Sequence, residues 1–478
     1  MQVADRDIRK AWASIGGFAC NQGFLFAVLY LGSGQSLTLG SGSIVRIELV
    51  GLLVCMCLAL IAICRASEKV RNIALSTRFL WGYAALLLIC SVVPDLVPGA
   101  FILPLTFKSI FVGIPLAFLI CAWGRALGAM PIERAVPTVF IATAAAAAVC
   151  LLVVSLPVDW AYLILYLLPL GSASFLREVS READLHSSTP VSASSGDESG
   201  ERISGKVILG TVCYGLATGL METLVTTSTV RVSMGFTVTF FLLVAFCLSS
   251  LQLFRGVKIA RVREFFGDVS AGPLDSVYRL AFMVMLAGFL FVPALNSFGM
   301  LGESVVLAGY LSMLTVLMSV FVIVSRLRGH DAVLFFAKGF AALFAGELLG
   351  LVAGNACRYI PVASESLIAI AIAGLVVLYS YLFLFTDRDV RELTVVVAEA
   401  DFFEEACLRI VETFGLSKRE AEILPLALRG RTGERIGQEL FISKNTVDTH
   451  LRRIYGKCNV GSRQELIDLG EKIQEEMR

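Results

Sequence analysis

Between Ser443 and Lys457 the chain reads SKNTVDTHLRRIYGK, and Val447, Leu451 and Ile454 fall at helical spacing. Those three would pack against Ile436 and Leu440, leaving Lys444, Asn445, Asp448, Thr449 and Arg452 on the opposite face. A polar face held on an apolar anchor suits a DNA major groove, where base edges offer a distinct donor and acceptor pattern. From Arg429 to Arg463 eight Lys/Arg stand against Glu434, Glu439 and Asp448, although 401–478 as a whole is close to neutral. Basic side chains release phosphate counterions and so supply non-specific affinity. Catalytic chemistry has little support: the histidines are His186, His330 and His450, with no nucleophile–base pair and no metal-ligand cluster. No metal and no cofactor are expected, and a plain helical bundle is the bland alternative for this stretch.

The elements that must position that face can be read from capping chemistry. A side-chain oxygen at the N-cap takes an otherwise unpaired amide proton, and a Glu three residues on can reciprocate. Ser417 with Glu420 and Ser462 with Glu465 have this form, while Ser443 opens a helix without it. Gly430 ends the first helix, and Thr432 can cap a short one running to about Phe441. A turn of two or three residues before Ser443 then gives helix-turn-helix geometry.

These residues resemble the DNA-binding domain of LuxR-type (NarL/FixJ) transcription regulators. The matches are Leu416, Ser417, Arg419, Glu420, Glu422, Ile423 and Leu424; Ala427, Gly430 and Thr432; Ile436, Leu440, Ile442 and Ser443; Thr446, Val447 and His450; and Lys457, Val460, Ser462 and Arg463. The resemblance implies that Asp448, Thr449 and Arg452 reach base edges, while Thr446, His450, Arg453 and Lys457 mostly hold the backbone. His450 could instead only hydrogen-bond within the domain. It also implies double-stranded promoter DNA as partner, a homodimer through the C-terminal domain, and RNA polymerase as a further partner. Asp448 departs from the usual Lys/Arg; a carboxylate can accept from cytosine but cannot donate to guanine, so site preference should differ. Gly437 stands where a small Ala is usual, and Pro425 removes an amide donor inside the first helix, where a kink is expected. The last helix, with Leu466, Ile467, Leu469 and Ile473 on one side, resembles the family's dimerisation helix, but the stripe could equally be core.

Composition sets the rest of the chain apart. At 57% hydrophobic, 17% charged and a mean hydropathy of +0.79, 478 residues describe a polytopic membrane protein. The start MQVADRDIRK is followed by a stretch long enough to span, without an A-x-A site, so that segment is expected to be retained. The twelve cysteines lie mostly in apolar runs with no C-x-x-C pair, which reads as buried free thiols.

A bilayer core needs about 20 apolar residues per helix. Twelve stretches qualify, near 11–32, 45–64, 73–93, 100–123, 135–156, 159–176, 206–228, 234–254, 277–297, 304–325, 332–354 and 365–385. One alternating set of connections carries most of the Lys/Arg, from Arg6, Arg9 and Lys10 through Arg65, Lys69 and Arg71 to Arg326 and Arg328; the other offers Arg46, Lys108, Arg231 and Arg358. The positive-inside bias places both termini in the cytoplasm, where a DNA-binding module would be useful, and the LuxR-type resemblance implies that the membrane is a bacterial one. The polar, Ser-rich 177–204 reads as a disordered loop that divides the spans six and six. That arrangement resembles major facilitator transporters in topology only, since CRASEKVRNIALSTRF lacks their signature between the second and third spans.

The fold class is therefore all-α: a 6+6 helical membrane bundle over 1–385, a linker and amphipathic helix over 386–415, and a four-helix DNA-binding domain over 416–478. Phe402, Phe403, Cys407, Ile410, Val411 and Phe414 form the linker's apolar stripe. Asn21, Gln22, Lys108, Glu222 and Glu347 lie in or near spans, where polar groups are costly; they line a ligand cavity or hold the bundle by hydrogen bonds or a Glu–Lys pair. The leading reading is a membrane-bound one-component regulator whose bundle senses a small molecule of unknown identity. The alternative is a transporter with a regulatory DNA-binding tail.

Overall fold

The computed structural model describes residues 2–30, 36–39, 42–96, 102–183, 198–224, 232–256, 274–297, 302–327, 332–357 and 365–477. The chain divides into two compact units, one reaching Thr394 and one starting at Val395.

In the first unit α1 (Gln2–Tyr30) is followed by a hairpin of β1 (Ser36–Leu39) and β2 (Gly42–Val45), in which Leu37 pairs with Ile44. The all-α expectation has no such hairpin. Next come α2 (Ile47–Arg65), the short α3 (Glu68–Ala74), α4 (Thr77–Leu96), α5 (Ile102–Gly128), α6 (Ile132–Ser155) and α7 (Val158–Ala183). The second half contains α8 (Glu198–Leu224), α9 (Val232–Gly256), α10 (Leu274–Ser297), α11 (Gly302–Leu327), α12 (Ala332–Cys357) and α13 (Glu365–Tyr379), the last running into a π turn over Ser380–Leu384.

Apart from α3, these helices fall on the stretches that hydropathy picks out. Among the described residues nine are long and apolar enough to cross a membrane, or ten if α3 and α4, bent by 54°, make one broken span. The remaining two of the twelve stretches, 206–228 and 365–385, are occupied by α8 and by α13 with its π turn. The loop expected over 177–204 is shorter than that reading: α7 continues through Arg177 and Arg181, and α8 begins at Glu198. Straight-chain Glu and Arg extend a helix into water at little cost. The rest of that loop, 184–197, lies outside the described residues.

The two halves meet along α2 with α12, α6 with α9, and α5 with α12. Within the second half, α8 and α12 approach through glycine. A Cβ on Gly219 would sit 2.1 Å from Glu347 O, and one on Gly350 2.2 Å from Leu216 O. Small residues let helix backbones close in lipid, where dispersion rather than hydrophobic burial drives association.

Next in the chain is α14 (Asp387–Phe414). The second unit continues with α15 (Lys418–Leu428), α16 (Gly433–Glu439), α17 (Lys444–Cys458) and α18 (Arg463–Met477). Its core joins Ile423, Leu424, Ala427, Ile436, Val447, Leu451, Ile454 and Leu466, with Cys407 and Ile410 of α14 inside it. The linker stripe therefore packs its own domain, with Phe403, Val411 and Phe414 half-buried against it; the side chain of Phe402 lies outside the described set. On α18, Leu466, Leu469 and Ile473 also face this core.

Candidate functional site

Each helix start of the second unit is built as its capping residues dictate. Glu420 Oε2 accepts from Ser417 N–H at 2.7 Å, and Thr432 Oγ1 accepts from Arg435 N–H at 3.4 Å. Ser443 Oγ accepts from Thr446 N–H at 3.2 Å and Ser462 Oγ from Glu465 N–H at 3.2 Å. Gly430, at φ 73°, ends α15, and α15 continues through Pro425. The turn between α16 and α17 closes through Ile442 N–H to Gly437 O at 2.9 Å, with Phe441 left-handed at φ 54° and 95% exposed. A Cβ on Gly437 would lie 2.7 Å from Ile442 O, so the departure from Ala lets this turn close tightly.

Buried Val447, Leu451, Ile454 and Cys458 anchor α17 and fix which face is free. Lys444, Asn445, Thr446, Thr449, Arg452 and Arg453 are exposed; Asp448 and His450 are half-buried. Thr449 donates its hydroxyl to Asn445 O at 2.8 Å, and Lys444 Nζ stands 3.2 Å from Glu434 Oε1. Both groups of that pair are over half exposed, so it competes weakly with a phosphate. Asp448 Oδ1 would be 3.0 Å from a Cβ on Gly433, placing the carboxylate at the first residue of α16, where amide protons are unpaired. His450 Nδ1 is buried and has no hydrogen-bond partner among the described residues.

Lys457, although exposed, bends its ammonium back onto its own domain. Its Nζ lies 2.7 Å from Glu420 Oε2 and 2.9 Å from Gly415 O. Glu420 is 2% exposed. Burial pushes its carboxyl up, but hydrogen bonds from Lys457 and from the Ser417 backbone and hydroxyl, together with the Lys457 charge, hold it at about 2. Arg463 is likewise internal, donating to Ala427 O at 3.2 Å and to Arg431 O.

In the first unit the polar residues of the spans separate into two groups. Asn21 and Gln22 are 2% and 1% exposed. Gln22 Nε2 lies 2.7 Å from Met318 Sδ, while neither amide atom of Asn21 has a hydrogen-bond partner among the described residues. The second group gathers around Glu347, which is fully buried. Tyr310 donates to its Oε2 at 3.0 Å, and the Tyr30 hydroxyl stands 3.5 Å from the same oxygen. Glu222 pairs with Arg46, which also approaches Glu48 at 3.6 Å and donates to Leu29 O at 2.7 Å. Arg46 is left-handed at φ 57°, a conformation that costs a non-glycine residue about 1–3 kcal/mol and turns this side chain inward.

Tyr30 and Tyr310 leave no mark in the hydropathy pattern, and Arg46 stands there only as a charge of a connection, so the partner expected for the glutamates is a Lys. Lys108 lies in α5, but its side chain is outside the described set.

The profile of "Bacterial regulatory proteins, luxR family" matches residues 415–469. These residues form a LuxR-family helix-turn-helix domain. Over 64 residues it is 38% identical to the HTH-type transcriptional regulator MalT of Vibrio campbellii, 13% of this chain and 7% of that protein. Over 57 residues it is 44% identical to the oxygen regulatory protein NreC of Staphylococcus carnosus, 12% of this chain and 26% of that one. The chain thus spans well under two thirds of the length of these relatives. The helical bundle is similar to the human organic anion transporter MFSD10 (TETRAN), with a TM-score of 0.50 and 13% identity over 80% of this chain and 99% of that one. At that identity the likeness shows the fold, that of major facilitator transporters, and the chain carries it together with the LuxR-family domain.

Proposed function

We propose that the chain is a membrane-bound one-component transcription regulator of a bacterial cell, with both termini cytoplasmic and the bundle spanning up to twelve times. The observation that carries this is the free polar face of α17, in a LuxR-family domain, on the same chain as a bundle of the major facilitator fold. Lys444, Asn445, Asp448, Thr449 and Arg452 read the major groove, Thr446, His450 and Arg453 hold phosphates, and Lys457 chiefly stabilises the domain. A homodimer through the C-terminal domain binds promoter DNA and engages RNA polymerase. A small molecule is sensed between the halves, where the Arg46–Glu222 pair, Glu347 and its tyrosines are closed from water, with Asn21 and Gln22 farther along α1. Such a ligand acts as a switch only by binding two packings of the halves with different affinity.

Chromatin immunoprecipitation of the full chain from its own membrane tests this. Discrete promoter peaks that vanish with Arg452→Ala are expected; absence of any peak over a deletion strain would overturn the reading. The buried cluster also favours transport by the same bundle. Substrate uptake by proteoliposomes, lost in Glu347→Gln, would place the chain there instead.

A further inference from the structure

Where the last bundle helix hands over to α14, six charged residues of three helices meet in one register. On α10, Asp275 and Arg279 stand one turn apart; on α14, so do Asp387 and Arg391. They pair crosswise, Arg391 Nη2 to Asp275 Oδ2 at 2.9 Å and Arg279 to Asp387, so the two helices run antiparallel at this contact. On α8, Lys206 Nζ reaches Asp389 Oδ1 at 3.1 Å. Asp389 Oδ2 meanwhile accepts from the Thr386 backbone at 2.8 Å and hydroxyl at 2.7 Å, closing the N-terminus of α14.

The anions are the enclosed partners: the side chains of Asp275 and Asp389 are 5% and 9% exposed, against 43–50% for Lys206, Arg279 and Arg391. A buried carboxylate without its cation is costly, so the pairs are needed to keep α14 seated. The pattern also selects one alignment. Sliding α14 by one turn either way sets Asp387 against Asp275 or Arg391 against Arg279. Beneath the pairs, Phe385, Val390 and Leu393 are buried, Tyr278 donates to Phe385 O, and its hydroxyl is 2.6 Å from that of Tyr214. The π turn fits because Gly210 has no side chain: a Cβ there would lie 2.9 Å from Phe385 Cβ.

We propose that this charge ladder is a register latch, through which the ends of α8 and α10 control the DNA-binding domain by holding or releasing the first two turns of α14. It rests on the regulator reading above and adds the element through which the bundle acts. A relative shift of α8 and α10 by a fraction of a turn separates the pairs, and because a full-turn slip sets like charge against like, α14 has no neighbouring register in which to pair again, so it is either latched or released. The latch therefore has discrete states, as a two-state transmission element requires.

The test uses the full chain in its membrane, with promoter occupancy read by chromatin immunoprecipitation and membrane abundance by immunoblot. Asp275→Arg and Arg391→Asp are expected to change occupancy at least about fivefold in the same direction, and the double variant to return within about twofold of wild type. Lys206→Ala, a milder change, should move occupancy the same way as the single reversals. Single variants present at wild-type abundance with unchanged occupancy would overturn the latch. So would a double variant no better than its parents. A wild-type chain occupying no promoter would instead remove the regulator reading.

Discussion

Arg452 and Thr449 share the exposed side of α17, and each can offer hydrogen bonds to a base. Replacing either by Ala should weaken binding to the target promoter by about 1–3 kcal/mol, with a much smaller loss on unrelated duplex, measured by competition footprinting. Asp448 works in the opposite sense because its carboxylate carries the same sign of charge as DNA phosphates. Asp448→Lys should tighten non-specific binding and steepen the dependence of log K on log salt by up to about 0.9, the increment for one added phosphate contact. Glu420 is the internal counterpart. Its carboxyl is lowered from 4.5 to about 2 in the folded domain, so its contribution is complete above pH 4.5 and is lost as pH falls towards 2. Glu420→Gln should cost the domain about 1.5–3 kcal/mol and flatten that acid limb, read by hydrogen exchange of α15 and α17 amides. The same pair explains why Lys457→Ala should lower stability more than it changes the salt slope.

Helices make up nearly all of what is described, and their starts and stops are local properties. Ser417, Thr432, Ser443 and Ser462 cap where capping chemistry puts them, and Gly430 terminates α15 with a positive φ that a Cβ would oppose. Which face of each helix meets which neighbour is decided between elements. Leu466, Leu469 and Ile473 of α18 turn to their own domain's core, a choice left open by periodicity, which marks an apolar face but not its occupant. Between α8 and α12 the deciding residues carry no side chain at all. Gly219→Val would drive its Cβ into the carbonyl of Glu347, and should cost at least about 1–3 kcal/mol and reduce the amount of folded protein in membranes, measured by fluorescence-detected size exclusion. Ala at the same position should show a smaller loss.

At the scale of the molecule, the Lys/Arg bias of the connections predicts an orientation in the membrane with the C-terminus inside. Alkaline phosphatase fused after residue 478 should be inactive and a cytoplasmic reporter active; the reverse would put the helix-turn-helix on the wrong side of the bilayer. Hydropathy and length locate most of the bundle helices, because a span must be apolar along its own length whatever its neighbours are. The LuxR-family motif likewise fixes α15 to α18, since caps, turn glycines and a core stripe are contacts near in sequence. What only the tertiary structure decides is pairing over long separations: Arg46 with Glu222, Tyr310 with Glu347, Asp275 with Arg391, and Lys457 drawn back to Glu420. An ionisable residue at a span edge reads the same whether it meets water, lipid or an opposite charge, and the fold supplies the partner.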